Sequence, residues 1–280
     1  MRHSIGTLLT TVATVSALVL FTFFALTRPS LISGPSEQSR ELEVGSETGD
    51  AQSTRAPKET APLPASADGA GRADPATLRG IDVSHYQGRV DWQKVAASGV
   101  RFAYMKATAG HTYVDARFAF NKTASMAAGL YVGAYHFFIP NRDPLQQAEH
   151  FLRTVEVAPG MLPPALDLEK HMKTSGDTSL ADKALIWLKR VENATGCRPI
   201  VYASRSFWED YLGEPLAGYP LWLAEYGKFA VLPKGAKAWA FWQRSQTGRV
   251  DGIEGHVDLD LFAGGEDSLK VLLCNHGADQ

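Results

Sequence analysis

The chain has 280 residues, 45% hydrophobic and 21% charged, with 28 Lys+Arg against 30 Asp+Glu and a formal net charge of −2. These proportions lie near the average of soluble globular proteins and exclude a collagen-like, wholly disordered or polytopic membrane chain. The lack of a basic excess argues against a nucleic-acid partner.

Along the chain the composition changes twice. Residues 4–27 carry no charge and include the apolar run Ala17 to Leu26. A helix of about 20 apolar residues spans a bilayer, whereas a signal peptide has an apolar core of about 7–15 residues and a small-x-small cleavage site. This run is longer than a signal core, and Ala25-Leu26-Thr27 is a poor cleavage site. Residues 1–28 are therefore read as a transmembrane anchor, with a cleaved signal as the alternative. Residues 29–78 contain no Phe, Trp or Tyr but hold Pro29, Pro35, Pro57, Pro62, Pro64 and Pro75. Such a segment cannot bury enough apolar surface to offset the entropy of ordering it, so it reads as a disordered linker. The first 78 residues carry 6 basic and 8 acidic side chains, which leaves 22 of each in residues 79–280. That last segment is the globular domain.

Within it, short apolar runs predict eight strands: Gly80–Ser84, Phe102–Lys106, Tyr131–Phe137, Pro164–Glu169, Pro199–Ala203, Leu221–Ala224, Ala238–Trp242 and Val257–Leu261. Helical patterns separate the early runs, at Asp91–Ser98, Asp115–Ala128 and a segment opened by Asp143-Pro144. Two more follow: one opened by the capping-box pattern Ser179-x-x-Asp182 and ended by Gly196, and one at Ser206–Leu212. Alternating strands and helices imply parallel strands with helices outside, and eight strands suggest a closed β/α barrel. The later spacers are short, so about five helices are expected rather than eight. No GxGxxG or phosphate loop and no Cys/His ligand spacing occurs, so no cofactor or metal is expected.

In such barrels the chemistry sits at strand ends. Asp82, Asp167, Glu169 and Asp258 all stand in apolar strand contexts, where an unpaired acid is costly to bury. Asp167 and Glu169 are two apart on one strand, so both face the same side with Cα atoms roughly 6.6–7 Å apart. Like charges that close raise one pKa, and a protonated carboxyl beside an ionised one suits glycosidic bond cleavage. Asp260 shares the face of Asp258 and is an alternative to it. His136 reads as a hydrogen-bonded core or cleft residue rather than a base. Aromatic residues gather at the strand ends: Tyr86, Tyr104, Tyr135, Phe137, Tyr202, Trp222, Tyr226 and Trp242. About half are expected in a sugar-binding cleft and the others in the core. Cys197 and Cys274 could form a disulfide if the domain lies outside the cytoplasm.

Taken together, these segments resemble glycoside hydrolase family 25, the Chalaropsis-type lysozymes (N-acetylmuramidases). The matching pieces begin with Gly80-Ile81-Asp82-Val83-Ser84-x-Tyr86-Gln87-Gly88, Lys106-Ala107-Thr108, Tyr135-His136-Phe137 and Ala165-Leu166-Asp167-Leu168-Glu169. Leu221-Trp222-Leu223-Ala224-x-Tyr226, Trp242-Gln243 and Val257-Asp258-Leu259 complete them. They occur in the family's order across nearly all of 79–265. Ala109 stands where the family often has Glu, and Arg244 where an aromatic is common. The resemblance implies a β/α barrel that hydrolyses the β-1,4 bond between N-acetylmuramic acid and N-acetylglucosamine in peptidoglycan. It implies that Glu169 is the general acid/base and that Asp167 orients the substrate's own acetamido group, an Asp167 nucleophile being the alternative. Asp82 and Asp258 match the remaining cleft carboxylates. The partners expected are peptidoglycan strands and, through the N-terminal helix, a membrane. The protein is expected to act as a monomer, anchored with its domain outside the cytoplasm or secreted if the N-terminus is cleaved. Two other functions would use the same features, a non-catalytic glycan-binding module and a related glycosidase such as a chitinase.

Overall fold

The computed structural model describes residues 77–171 and 179–275. The expected anchor or signal at 1–28, and all but the last two residues of the expected linker 29–78, lie outside the described residues. Among the described residues, no helix is long and apolar enough to cross a membrane.

Nine strands form one sheet: β1 (Leu78–Val83), β2 (Phe102–Ala109), β3 (Tyr113–Val114), β4 (Tyr131–Phe137), β5 (Ala165–Asp167), β6 (Ile200–Ser204), β7 (Leu221–Ala224), β8 (Phe241–Gly248) and β9 (Val257–Phe262). Their order is β1-β9-β8-β7-β6-β5-β4-β2-β3, and an additional β1–β2 pairing closes eight of them into a barrel. The two-residue β3 lies antiparallel on the end of β2. Seven barrel strands run parallel, but β9 runs antiparallel to both neighbours, β1 and β8. This corrects the all-parallel expectation. A parallel crossover takes a dozen or more residues, and only residues 249–256 separate β8 from β9. The seventh expected strand, Ala238–Trp242, also moves: β8 starts at Phe241 and continues through polar residues to Gly248, paired with β9.

The helices are α1 (Trp92–Ala97), α2 (Phe118–Ala127), α3 (Pro144–Val155), α4 (Leu180–Thr195), α5 (Arg205–Phe207) and α6 (Glu266–Leu272). Capping residues start α3, and both start and stop α4, as the sequence suggests. Asp143 accepts from the Gln146 N–H ahead of Pro144, Ser179 and Asp182 cap reciprocally, and Gly196 closes α4 in a left-handed conformation. Three features differ. Helix α2 begins three residues late, because Asp115 accepts from the backbone N–H groups of His85 and Arg117 instead of entering a helix. Helix α5 is one turn, continued by a π-helical turn over Trp208–Leu212. Helix α6, which follows β9, was not anticipated; the disulfide Cys197–Cys274 ties its C-terminal end to the start of β6.

Strand alternation sorts the apolar residues into two cores. One lies between barrel and helices and includes Val83, Met105, Phe151, Trp187 and Leu223. The other fills the barrel with Phe102, Tyr104, Tyr202, Trp222, Phe241 and Phe262. His136 belongs to the outer core. Its ring stacks on Trp187, Thr108 lies 2.7 Å from Nδ1 and Gln147 3.2 Å from Nε2, and burial lowers its pKa to about 3. It is therefore a neutral structural residue.

The aromatic filling depends on glycine. Tyr104 faces Gly133 across β2–β4, and a Cβ at Gly133 would stand 2.2 Å from the Tyr104 ring. Gly133→Ala is therefore expected to destabilise the domain by about 1–3 kcal/mol through overpacking, read as a lower urea midpoint with an unchanged slope. An unchanged midpoint would show that the ring has room to move.

Candidate active site

The mouth of the barrel holds a cavity of about 180 Å³. Its walls carry the four acids singled out from the sequence. Asp82 comes from the end of β1, Asp167 from the end of β5, Glu169 from just beyond it, and Asp258 from the start of β9. Reversal of β9 explains why Asp258 belongs here: the first turn of an antiparallel strand lies at the mouth where the parallel strands end. Asp82 and Asp258 are direct register partners. Tyr135, Tyr202, Trp222 and Tyr226 line the same cavity, joined by Gln243 and Gln246.

The other four aromatic candidates lie elsewhere. Tyr104 is fully buried beneath the cavity, 4.7 Å from the Trp222 ring, with its hydroxyl donating to the Pro163 carbonyl. Trp242 is buried and donates to the Glu225 carbonyl. Phe137 sits under the ammonium groups of Lys106 and Lys170, 4.4 and 5.0 Å from its ring centre. Tyr86 is 82% exposed on the loop after β1.

The acids differ in environment. Asp82 and Asp167 are buried, whereas Glu169 is exposed. Burial raises the pKa of Asp167 well above 3.8, and the neighbouring Glu169 charge raises it further, against the pull of Lys106 and Lys170. Its Oδ1 atom has no hydrogen-bond partner among the described residues. Burial also raises Asp82 strongly, with Asp260 and Asp258 adding to the shift. Asp258 is pushed up to about 6 and Asp260 to about 8, desolvation being the first cause in both. A buried carboxylate in low dielectric favours its neutral form, and each neighbouring carboxylate strengthens that preference. Asp82, Asp167, Asp258 and Asp260 therefore hold their protons as one interacting set, each shifted toward its neutral form.

One residue outside the expected set organises these contacts. Gln243 is 3% exposed and donates through Nε2 to Asp82 at 2.7 Å. Its Oε1 accepts from the hydroxyls of both Tyr202 and Tyr226, each at 2.9 Å. Two phenol donors on the oxygen fix the amide orientation and aim the nitrogen at Asp82. Gln243 was visible in the Trp242-Gln243 pair, but nothing local showed that its side chain turns into the barrel. Asp260 is held by a different donor, Trp222 Nε1 at 2.9 Å, and lies below the cavity rather than in its wall. Among the described residues no group of His, Cys, Asp and Glu is placed to hold a metal.

Comparison with known proteins identifies the family and the fold. The family model "Glycosyl hydrolases family 25" matches residues 81–253. The chain is 41% identical over 202 residues to the uncharacterized protein YegX of Escherichia coli (strain K12), covering 70% of this chain and 74% of that one. It is 36% identical over 222 residues to Lysozyme M1 of Streptomyces globisporus, covering 73% and 74%. The bacterial lysozyme of Streptomyces coelicolor superposes with a TM-score of 0.67 at 34% identity, over 73% of this chain and 100% of the other.

Asp260 allows a direct check of the shared-proton picture. A carboxyl whose pKa is raised on folding, here from 3.8 to about 8, stabilises the fold most below its unfolded value. That contribution is lost as pH rises through the folded value. Asp260→Asn keeps the acceptor for Trp222 and carries no titrating proton. The fall in melting temperature between pH 4 and about pH 8 is expected to be shallower in this variant than in the wild type. Equal slopes would mean that Asp260 is ionised in the fold.

Proposed function

The chain belongs to glycosyl hydrolase family 25 and is a glycoside hydrolase, and from that premise we propose that it is a lysozyme. In this reading it cleaves the β-1,4 bond between N-acetylmuramic acid and N-acetylglucosamine in peptidoglycan, with Glu169 as general acid/base. The supporting observation is the unequal pair at the end of β5: Glu169 at the solvent edge, and Asp167 buried with an Oδ1 unpartnered among the described residues.

The steps follow from those positions. Glu169 protonates the glycosidic oxygen as the bond to the anomeric carbon breaks. The substrate's acetamido oxygen attacks that carbon, and Asp167 Oδ1 accepts the acetamido N–H, the positive charge that develops there adding to Lys106 and Lys170 in favour of ionised Asp167. Substrate-assisted attack is a recognised exception to the two-carboxylate scheme. Water then opens the cyclic intermediate after Glu169 takes its proton. Asp82, steered by Gln243, and Asp258 line the opposite wall and hold sugar hydroxyls. Trp222, Tyr135, Tyr202 and Tyr226 supply flat faces for the C–H surfaces of the rings.

The disulfide suits an oxidising compartment, and peptidoglycan lies outside the cytoplasmic membrane. We infer that residues 4–27 hold the enzyme at that membrane, with residues 29–78 as the tether to a monomeric domain spanning 79–280. Cleavage after the apolar run would secrete it instead.

Glu169→Gln is expected to cut the release of reducing ends from purified peptidoglycan by about 100-fold or more. Asp167→Asn should lower turnover more than it raises KM, since its bond to the acetamido group strengthens as charge develops. Wild-type turnover by Glu169→Gln would remove the role given to that residue, and faster turnover of chitin than of peptidoglycan would favour a chitinase.

A further inference from the structure

The cavity accounts for the residues around the bond to be cut, but a separate built surface stands beside it. The chain leaves the cavity at Asp82, and Ser84 at once caps a short 3-10 turn over His85–Gln87. The Ser84 hydroxyl accepts from the Tyr86 N–H, and the Ser84 N–H donates to Gln87 Oε1 at 2.9 Å. Gln87 Nε2 in turn donates to the carbonyl of His256, two residues before the cavity acid Asp258. This turn is thus fastened at both ends to strands that carry cavity acids.

On it, Tyr86 is 82% exposed with its ring centre 4.1 Å from that of His85. His85 is clamped from below. Asp115, 2% exposed, accepts through Oδ2 from the His85 N–H at 3.1 Å and lies 2.7 Å from Nδ1. The Tyr113 hydroxyl stands 3.2 Å from the same Nδ1, and Tyr113 is 41% exposed. An isolated exposed aromatic is ordinary on a protein surface. Here three rings are grouped, and a buried carboxylate spends its hydrogen bonds holding the middle one. The fold gains little from ordering Tyr86 in water, whereas a ligand that stacks on it meets a ring already positioned.

We propose that Tyr86, His85 and Tyr113 form a distal saccharide subsite that takes an N-acetylhexosamine ring of the same glycan strand, beyond the cavity that holds the scissile bond. The proposal rests on the glycan-hydrolase reading above and adds to it where a long strand is gripped. A pyranose offers an apolar C–H face to Tyr86 and hydroxyls to the Tyr113 phenol and to His85 Nε2, which has no partner among the described residues. The turn follows β1 directly and is bonded to the residue before β9, and Asp82 and Asp258 of those two strands line the cavity of about 180 Å³. The platform would therefore favour long strands over short fragments.

The test uses the full chain carrying Glu169→Gln, so that binding is read without turnover. Binding of long peptide-free glycan strands and of the corresponding tetrasaccharide is compared with and without Tyr86→Ala. Loss of the stack should weaken the long strands about threefold to tenfold and leave the tetrasaccharide unchanged, with Tyr86→Trp restoring the difference. Equal affinity for long strands in Tyr86→Ala would overturn the proposal, as would an equal loss for both lengths. A loss seen only with peptide-bearing strands would also overturn it and assign the platform to the peptide. Failure of the Tyr86-intact protein to bind any glycan would overturn the underlying reading as well, a result distinct from the others.

Discussion

Burying several carboxyl groups in one barrel mouth, where water cannot share their charge, is the constraint from which the rest of this domain follows. Asp82, Asp167 and Asp260 are nearly sealed from solvent, and each is pushed toward its neutral form by desolvation and by its neighbours. The fold answers with fixed donors rather than with paired cations. Gln243 serves Asp82 and Trp222 serves Asp260, while Lys106 and Lys170 act on Asp167 only through their charge. Those donors are held in turn by the aromatic filling beneath them. Trp222 rests against Tyr104, and Tyr104 finds its space over Gly133. Packing in the barrel and the ionisation of its mouth are thus one problem, since a shift of Trp222 would leave Asp260 without its donor.

Much of this could be read from residue patterns. Two-residue alternation placed Asp167 and Glu169 on one face, and the cap at Ser179 and the stop at Gly196 marked α4. What escaped depends on contacts between distant segments. The direction of β9 is set by a short connection and by pairing with β1, neither of which shows in the apolar run 257–261. Alternation told that Tyr104 faces the interior but not how deep it lies. Its neighbour Trp222 covers it, and that separates a floor residue from a wall residue. Gln243 stands in a motif, but its inward turn leaves no local trace, because an amide in a strand is ordinary until two tyrosines from β6 and the segment after β7 converge on it. Asp115 looked like the start of a helix and serves instead as the anchor of His85.

In the proposed mechanism the buried and the exposed acid divide the labour between them. A residue that gives and takes a proton needs access to water and to the leaving group, which Glu169 has at the solvent edge. A residue that supports a developing positive charge benefits from low dielectric and an unspent acceptor, which Asp167 has. Asp167 ends β5 and Glu169 follows two residues on, in the segment that leaves the strand. The same end of the barrel carries the Tyr86 platform outward from β1, so the groups near the bond and those along the strand share one rigid frame.

The central claim is that this mouth cleaves the muramic acid side of the glycan bond. Its most direct test is to digest purified peptidoglycan with the wild-type protein, reduce the new ends with borohydride and identify the reduced sugar by mass spectrometry. The account predicts reduced N-acetylmuramic acid at the new ends. Reduced N-acetylglucosamine there, or no new reducing ends at all, would contradict it.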